Sequence, residues 1–370
     1  MTTGHLTDAH AVTVRVPGKI NLGLSVGPLR EDGFHELSTV FHAVSLYDHV
    51  TVRPAAKWSV HVTGPYADRV PTDGTNLALV AARTLARRRM RRAKVDPVRI
   101  EIDKQIPVAG GMAGGSADAA ATLVACRELW ALDHIENDLL EIMAGSLGSD
   151  IPFLLHGGTA IGSGRGEQIT PVLARGELHW VLWAGQGLSL STPAVYGECD
   201  RLRELTGTGA PSPQPSEALI TALRRMDTDE VAAALHNDLQ PAAVSLQPAL
   251  ATVLEVGLDL GARAGLVSGS GPTVAFLVGS QAEAIDLSVG LAANGPPGDI
   301  VRALGPVPGC QIVPQRVPGA PAAAPVTSRS TPSASSRSIP SATSRSTPSA
   351  TSRSTPPASS RPGPLGPVPG

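Results

Sequence analysis

The chain has 370 residues, of which 42% are hydrophobic and 17% are charged, a balance that is sufficient for one or two buried cores. Residues 1–315 hold 24 basic and 32 acidic residues, whereas residues 316–370 hold six arginines and no acidic residue. The acidic balance of the larger part excludes general binding of nucleic acid, because that affinity depends on neutralising phosphates.

Strands and helices are both predicted, in an irregular order. The predicted elements are, in chain order, strands over 12–16, 40–53 and 58–62, a helix over 76–94, a strand over 98–104, a helix over 116–132, a hairpin over 159–172, a strand over 178–185, helices throughout 216–262, and two strands over 265–279. Because they do not alternate regularly, the predicted fold class is α+β. A composition change near residues 171–176 predicts two domains, 10–172 and 173–314.

The C-terminal residues 315–370 differ from the rest of the chain. From Thr327, an eight-residue unit, TSRSTPSA and its variants, recurs four times. Serine, threonine and proline at this density cannot bury enough apolar surface to offset the entropy lost on ordering. We therefore expect residues 315–370 to form a disordered tail.

The cysteines and the N-terminal residues favour a cytoplasmic protein. Cys126, Cys199 and Cys310 are far apart, which argues against both a disulfide framework and a zinc site. The first residues lack the basic and apolar regions of a secretory signal, and no apolar run is long enough to span a membrane. We expect a cytoplasmic location and no membrane partner.

The strongest local signal is the glycine-rich stretch IPVAGGMAGGSADA at residues 106–119. It follows a predicted strand and precedes a predicted helix. Glycines let a ligand approach the backbone closely, and a helix N-terminus presents free N–H groups to an anion. The spacing is neither that of a Walker loop nor GxGxxG. The pattern favours a phosphate site, and the alternative is a flexible connector with Ser116 as an ordinary helix N-cap.

Four other segments hold residues that could take part in a site. Lys19 lies in a predicted strand, where it is either a surface lysine or a half-buried one that requires an anion. Asp150 comes just before a proline and has the position of a helix N-cap. Phe34 and His35 follow one another in a predicted turn, and residues 269–271 form either a hairpin turn or a second anion site. Each segment alone has a purely structural explanation.

Taken together and in order, these segments resemble motifs of the GHMP small-molecule kinases. The matching stretches are PGKINLGL at 17–24, PVAGGMAGGSA at 107–117 and SGSGPT at 268–273. Three more, DGFHEL at 32–37, LGSDIPF at 147–153 and GLSLSTPAVY at 187–196, resemble the branch whose substrate carries a cytidine diphosphate. The resemblance covers roughly residues 10–310.

The resemblance implies a fold and a reaction. The fold is the two-domain GHMP kinase fold, with an N-terminal α/β domain that contains a left-handed β-α-β unit and a ferredoxin-like C-terminal domain. The reaction is the phosphorylation, by ATP with Mg²⁺, of the 2-hydroxyl of 4-diphosphocytidyl-2-C-methyl-D-erythritol, in the non-mevalonate route to isoprenoid precursors. A homodimer is compatible with the sequence. The alternatives are a GHMP kinase of the homoserine or mevalonate type and a non-catalytic binding module.

The resemblance also implies residue roles, position by position. Asp150 is the expected catalytic base and Lys19 its charged partner. The expected ATP contacts are Pro107, Val108, Ala109, Gly110, Gly111, Met112, Ala113, Gly114, Gly115, Ser116 and Ala117, with Asn76 and Lys104 near the adenine. Asn21 and His35 are expected to contact the substrate, His35 at the cytosine edge, while Phe34 and Tyr196 stack on the cytosine. Ser116 is the one hydroxyl nominated for Mg²⁺, whose other protein ligands are unassigned.

Overall fold

The computed structural model describes residues 11–89, 95–108, 110–132, 135, 137–174 and 176–314. The expected tail at 315–370 and the loop residue Ala109 lie outside the described residues. The strands are β1 (Val12–Leu29), β2 (His35–Pro54), β3 (Ser59–Thr63), β4 (Val98–Asp103), β5 (Thr159–Gly164), β6 (Gln168–Val172), β7 (Leu178–Gly185), β8 (His236–Asn237), β9 (Ala264–Val267), β10 (Thr273–Val278), β11 (Gly298–Gly305) and β12 (Gln311–Val313). The helices are α1 (Leu77–Arg89), α2 (Gly114–Leu129), α3 (Asn137–Leu147), α4 (Ile151–His156), α5 (Thr192–Thr206), α6 (Glu217–Arg225), α7 (Thr228–Ala234), α8 (Gln240–Leu246), α9 (Ala249–Asp259) and α10 (Gln281–Asn294).

The first sheet is built on the long antiparallel pair β1 and β2. Its strand order is β12-β1-β2-β4-β3, with β5 also paired to β2, β6 to β5 and β8 to β1. β3 and β4 run parallel and are joined by α1, which makes a β-α-β unit. The β1–β2 register shifts between Pro17 and Gly18 and again between Asn21 and Gly23. Such irregularities re-aim side chains, and these two flank Lys19 and Asn21.

The second sheet has the order β11-β7-β10-β9, and all its neighbours are antiparallel. The chain order is strand, helices, strand, strand, helix, strand, which together with that sheet order is the ferredoxin-like arrangement expected from the sequence. The two strands predicted around residues 269–271 are β9 and β10. The predicted α+β class is confirmed.

Helix α2 is the buried helix of the first sheet. Every residue from Ala117 to Cys126 is buried, and the helix contacts α1, α4, β1 and β2. Its many alanines allow this close approach, since they add little bulk and lose no side-chain entropy. The glycine-rich loop is thereby held against the core of the sheet.

The prediction of helix throughout 216–262 is wrong in one respect. The two residues of β8 interrupt the helices and pair in parallel with Gly23 and Leu24 of β1. Further along, Pro241 lies in the first turn of α8, and Pro248 is the residue before α9. Proline fits a helix start but not its interior, so each one begins a new helix.

Pairing across the chain bears on the proposed domain boundary. β8 and β12 lie within residues 173–314, yet both pair with β1 of the first sheet. The division into 10–172 and 173–314 therefore stays a prediction. In the described residues no single helix is long and apolar enough to cross a membrane, although α8 and α9 together pass that test of length and composition with a bend of 119°.

His42 makes folding stability depend on pH. It is fully buried in β2, where Nδ1 hydrogen-bonds Thr159 Oγ1 at 2.9 Å, and burial lowers the pKa of His42 from 6.5 to about 3. Below pH 6.5 the unfolded chain binds a proton that the folded chain does not, so stability is lost as the pH falls towards 3. We expect the free energy of unfolding to fall by about 2 kcal/mol between pH 6.5 and 5 because of this residue.

The measurement is denaturant unfolding at several pH values in this window. His42→Gln should flatten the pH dependence, whatever its effect on stability at neutral pH. His61→Gln, at an exposed position of β3, is the matched control and should leave the slope unchanged. Equal slopes in the two variants would contradict the assignment.

Candidate active site

A cleft of about 800 Å³ is lined by residues of β1 and β2, the glycine-rich loop, the start of α5 and the turn between β9 and β10. It brings together the turn at 269–271 and twelve of the residues to which the resemblance assigns a role. These are Lys19, Asn21, Phe34, His35, Gly110, Gly111, Ala113, Gly114, Gly115, Ser116, Asp150 and Tyr196. Asp150, Tyr196 and the glycine-rich loop are far apart in the chain, so the fold and not the local sequence assembles this site.

Lys19 and Asp150 face one another in the cleft. Lys19 Nζ lies 3.9 Å from Asp150 Oδ2, and the lysine side chain is 6% exposed against 32% for the aspartate. Nζ also donates to Asn21 Oδ1 at 2.7 Å. Burial lowers the pKa of Lys19, and the charge of Asp150 opposes that shift. An ammonium group has three N–H donors, so Asn21 leaves two of them for Asp150 and a ligand.

The cap interpretation of Asp150 is weakened by the structure. Asp150 stands at the N-cap position of α4, with a proline in the first turn as predicted, but its side chain accepts no capping hydrogen bond. A true aspartate cap occurs at Asp227, whose carboxylate accepts from the N–H groups of Asp229 and Glu230. The Asp150 carboxylate is therefore available to the cleft.

The carbonyl oxygens of the glycine-rich loop are bonded to the protein. Five consecutive carbonyls, of Gly110, Gly111, Met112, Ala113 and Gly114, accept hydrogen bonds from Thr273 N, Ser268 Oγ, Lys19 N, Ala117 N and Lys104 Nζ respectively. Their distances are between 2.8 and 3.3 Å. A loop whose carbonyls are occupied in this way presents N–H groups to a ligand, which is the polarity that a phosphate requires.

The loop ends directly in the N-terminus of α2. Ala113 has a left-handed φ of +57°, and the first intrahelical bond runs from Ala117 N to Ala113 O. The N–H groups of Gly114, Gly115 and Ser116 precede that bond and therefore lack an intrahelical partner. The cap residue is Ala113, so the alternative of Ser116 as an ordinary N-cap is wrong.

Two glycines with a left-handed φ lie where the loop meets the turn between β9 and β10. Gly111 has a φ of +73°, and a Cβ there would overlap the Ser268 carbonyl oxygen. Gly269 has a φ of +56°, and a Cβ there would lie 3.5 Å from Lys19 Nζ. The late turn at 269–271 thus approaches both the loop and the lysine, as a second anion site would.

Lys104 and Asn76 do not line the cleft. This placement does not support the contacts with adenine that were expected for them. Lys104 is 1% exposed, and Nζ donates to Asp48 Oδ2, Asp118 Oδ2 and Gly114 O at 2.6, 2.7 and 2.8 Å. The Asn76 side chain accepts from the N–H groups of Ala78 and Leu79 at the start of α1. The polar groups of both side chains make hydrogen bonds within the protein.

Other predicted loop contacts are also internal. Met112 and Ala117 are fully buried, while Pro107 and Val108 lie outside the lining of the cleft. Ala109 is outside the described residues. The side of the loop that faces the cleft is therefore formed by Gly110, Gly111 and residues 113–116.

The predicted pyrimidine contacts lie together in the same cleft. Phe34 is 51% exposed, whereas His35 is 8% exposed, with its ring centroid 5.0 Å from that of Tyr196. Burial raises the pKa of Tyr196 above its ordinary value. Two further lining residues were missed from the sequence. Arg165 lies over the Phe34 ring at 4.9 Å, and Asp200 bonds His35.

The oxygen donors for Mg²⁺ are few. In the described part of the chain, no three His, Cys, Asp or Glu side chains come together as a metal cage. Mg²⁺ commonly binds through one or two carboxylates and the phosphates of a substrate. The cleft offers the Ser116 hydroxyl and the Asp150 carboxylate. Ser116 lies close to the segment that carries Asp150, because a Cβ built on Gly148 would be 3.9 Å from Ser116 Oγ. This donor set suits a metal that arrives with a nucleotide.

Comparison with known proteins agrees with this geometry. The family model described as GHMP kinases N terminal domain matches residues 76–158, and that described as GHMP kinases C terminal matches residues 219–296. The chain belongs to the GHMP kinases, and the expected class of ATP-dependent small-molecule kinase is confirmed. It is 53% identical over 305 residues to 4-diphosphocytidyl-2-C-methyl-D-erythritol kinase of Mycolicibacterium smegmatis, which covers 82% of this chain and 93% of that protein.

Another relative and one solved structure support the same family, and a second solved structure shows the same fold. The kinase of the same name from Leifsonia xyli is 49% identical over 82% of this chain and 99% of that protein. A crystal structure of 4-(cytidine 5'-diphospho)-2C-methyl-D-erythritol kinase is 34% identical, with a TM-score of 0.63 over 79% of this chain and 99% of that one. A homoserine kinase from Cytophaga hutchinsonii, 18% identical with a TM-score of 0.61 over 84% and 100%, shares the fold.

Proposed function

We propose that this chain uses ATP to phosphorylate the 2-hydroxyl of 4-diphosphocytidyl-2-C-methyl-D-erythritol, giving the 2-phosphate and ADP. The observation that carries the proposal is that one cleft holds both a set of residues suited to phosphoryl transfer and a set suited to binding a pyrimidine. A lysine–aspartate pair faces the glycine-rich loop, and Phe34, His35 and Tyr196 line the same cleft. Aromatic faces and a hydrogen-bonding edge suit a pyrimidine base. The names of relatives that are 53% and 49% identical support the same substrate.

Asp150 is proposed as the base that takes the proton of the substrate hydroxyl. Its carboxylate makes no capping bond and is 32% exposed to the cleft. Lys19, held by Asn21, faces the Asp150 carboxylate and offers its remaining N–H groups to the transferred phosphoryl group. Phosphoryl transfer depends on position and charge more than on covalent chemistry, which fits this pair.

The loop and α2 are proposed to hold the nucleotide phosphates through N–H groups at 110–116. Mg²⁺, bound by the nucleotide phosphates and the Ser116 hydroxyl, would neutralise the negative charge that develops during transfer. The expected cytoplasmic location and homodimer remain predictions.

The test is release of ADP by the purified protein. Turnover with 4-diphosphocytidyl-2-C-methyl-D-erythritol is expected, with homoserine and mevalonate as controls because neither contains a pyrimidine. Preferred turnover of either control would replace this proposal with a kinase of that type.

Removing an aromatic ring from the cleft tests the pyrimidine site. Phe34→Ala or Tyr196→Ala should raise the KM for the diphosphocytidyl substrate by roughly ten- to a hundredfold, since a base–aromatic stack contributes about 1–3 kcal/mol. The KM for ATP should hardly change. Phe34→Tyr and Tyr196→Phe retain the rings and should behave nearly as the unmodified protein. An equal rise of both KM values would indicate a folding defect and contradict the assignment.

A further inference from the structure

Asp200 makes a two-oxygen contact with His35 at the edge of the cleft. His35 Nε2 lies 3.1 Å from both Oδ1 and Oδ2 of Asp200. Asp200 comes one turn after Tyr196 in α5, so both side chains lie on one face of that helix. His35 is the first residue of β2, and its ring centroid is 5.0 Å from that of Tyr196. One helix face therefore positions both the imidazole and the aromatic ring.

The contact determines which ring nitrogen carries the hydrogen. An ionised carboxylate can only accept hydrogen bonds, so Nε2 must be the donor. In the neutral imidazole the other nitrogen, Nδ1, is then an acceptor. Within the described residues Nδ1 has no hydrogen-bond partner, and His35 lines the cleft. An acceptor at this place is satisfied by an amino group and repelled by a carbonyl oxygen.

Cytosine and uracil differ in this feature, because cytosine carries an amino donor where uracil carries a carbonyl acceptor. We propose that Asp200 is a positioning residue that sets base specificity, because it holds His35 in the Nε2–H form and so favours cytosine over uracil. The inference rests on the proposed function, since it assumes that the base lies against His35. Asp200 acts through His35 and does not touch the reacting atoms.

The kinetic test compares the cytidine substrate with its uridine analogue. Asp200→Asn keeps the size of the side chain but can also donate, which releases the constraint on His35. We expect the ratio of kcat/KM for cytidine over uridine to fall by roughly 3- to 10-fold, the equivalent of one hydrogen bond. The loss should be in KM for the cytidine substrate, with kcat at saturation nearly unchanged. Asp200→Ala should change the ratio in the same direction.

Glu204→Gln is the matched control. Glu204 is exposed one turn further along α5, and its substitution removes the same charge without changing a contact to His35. It should leave the ratio unchanged. An unchanged ratio in Asp200→Asn, or an equal loss for both bases, would overturn the proposal. Melting temperatures of all variants identify a variant that merely fails to fold.

A spectroscopic measurement tests the same inference without catalysis. Long-range ¹⁵N–¹H spectra of the histidine-labelled full chain, with His35 identified by His35→Gln, should show hydrogen on Nε2 and a bare Nδ1 at neutral pH. Asp200→Asn should change that pattern. A hydrogen on Nδ1 in the unmodified protein would overturn the proposal. Calorimetric binding of CDP and UDP separates this inference from the proposed kinase function. A preference for CDP that is lost in Asp200→Asn supports the positioning role of Asp200 even if no turnover is found.

Discussion

Asp150→Asn should lower kcat by about 10²–10⁴-fold while ATP still binds, because the change removes both the general base and its charge but keeps the size of the side chain. The measurement is steady-state ADP release together with the dissociation constant for ATP. Lys19→Met should be comparably damaging. Since the two side chains are 3.9 Å apart and are proposed to act as a unit, the double variant should be little worse than either single one.

Asp227→Asn provides the matched control for this prediction. Asp227 is a real helix cap that bonds two backbone N–H groups, and asparagine caps about as well as aspartate. Asp227→Asn should therefore be nearly silent. If Asp150→Asn were equally silent, the base assignment would be discarded and Asp150 would be a structural residue.

Lys104→Met should lower the free energy of unfolding by about 3–5 kcal/mol, because it leaves the buried carboxylates of Asp48 and Asp118 without their cation. Both acids are within 2.7 Å of Lys104 Nζ, and all three side chains are nearly inaccessible to solvent. Chemical denaturation gives the measurement. Affinity for ATP should also fall, since the carbonyl of Gly114 loses its donor.

The control for Lys104 is an exposed ion pair. Arg225 bonds Glu230 on the surface, and Arg225→Met should change the free energy of unfolding by at most about 1 kcal/mol. Restoring neutrality with Asp48→Asn and Asp118→Asn should recover part of the stability lost in Lys104→Met. A Lys104→Met variant no less stable than Arg225→Met would show that the cluster does not support the fold.

Residues that lie in local motifs were predictable from the sequence. Lys19, Asp150 and the glycine-rich loop stand in short stretches whose residue types fit a phosphate site, and the structure places them around one cleft. Most strands and helices also follow the predicted pattern, because apolar periodicity records which face is buried. The catalytic roles of Lys19 and Asp150 stay predictions until the variants are measured.

Contacts between distant segments were not predictable. Asp200 contacts His35 across 165 residues of sequence. Arg165 lies over the Phe34 ring, although no sequence motif contains both residues. Lys104 was expected near the adenine, because the resemblance to the kinase family implies that position. Its actual partners, Asp48 and Asp118, are separated from it by 56 and 14 residues, and nothing in the sequence distinguishes them from surface acids.

The bonded carbonyls of residues 110–114 have a consequence for how this loop can be used. Its dipoles are oriented by donors that come from β1, Lys104, α2, the β9–β10 turn and the start of β10, which span most of the described chain. The free energy needed to orient these peptides is spent when the protein folds, so little reorganisation is left for the moment of binding. A peptide of residues 107–117, or the same stretch grafted into an unrelated protein, would keep the sequence and lose that preorganisation. The anion affinity belongs to the whole fold, and the motif alone is not portable.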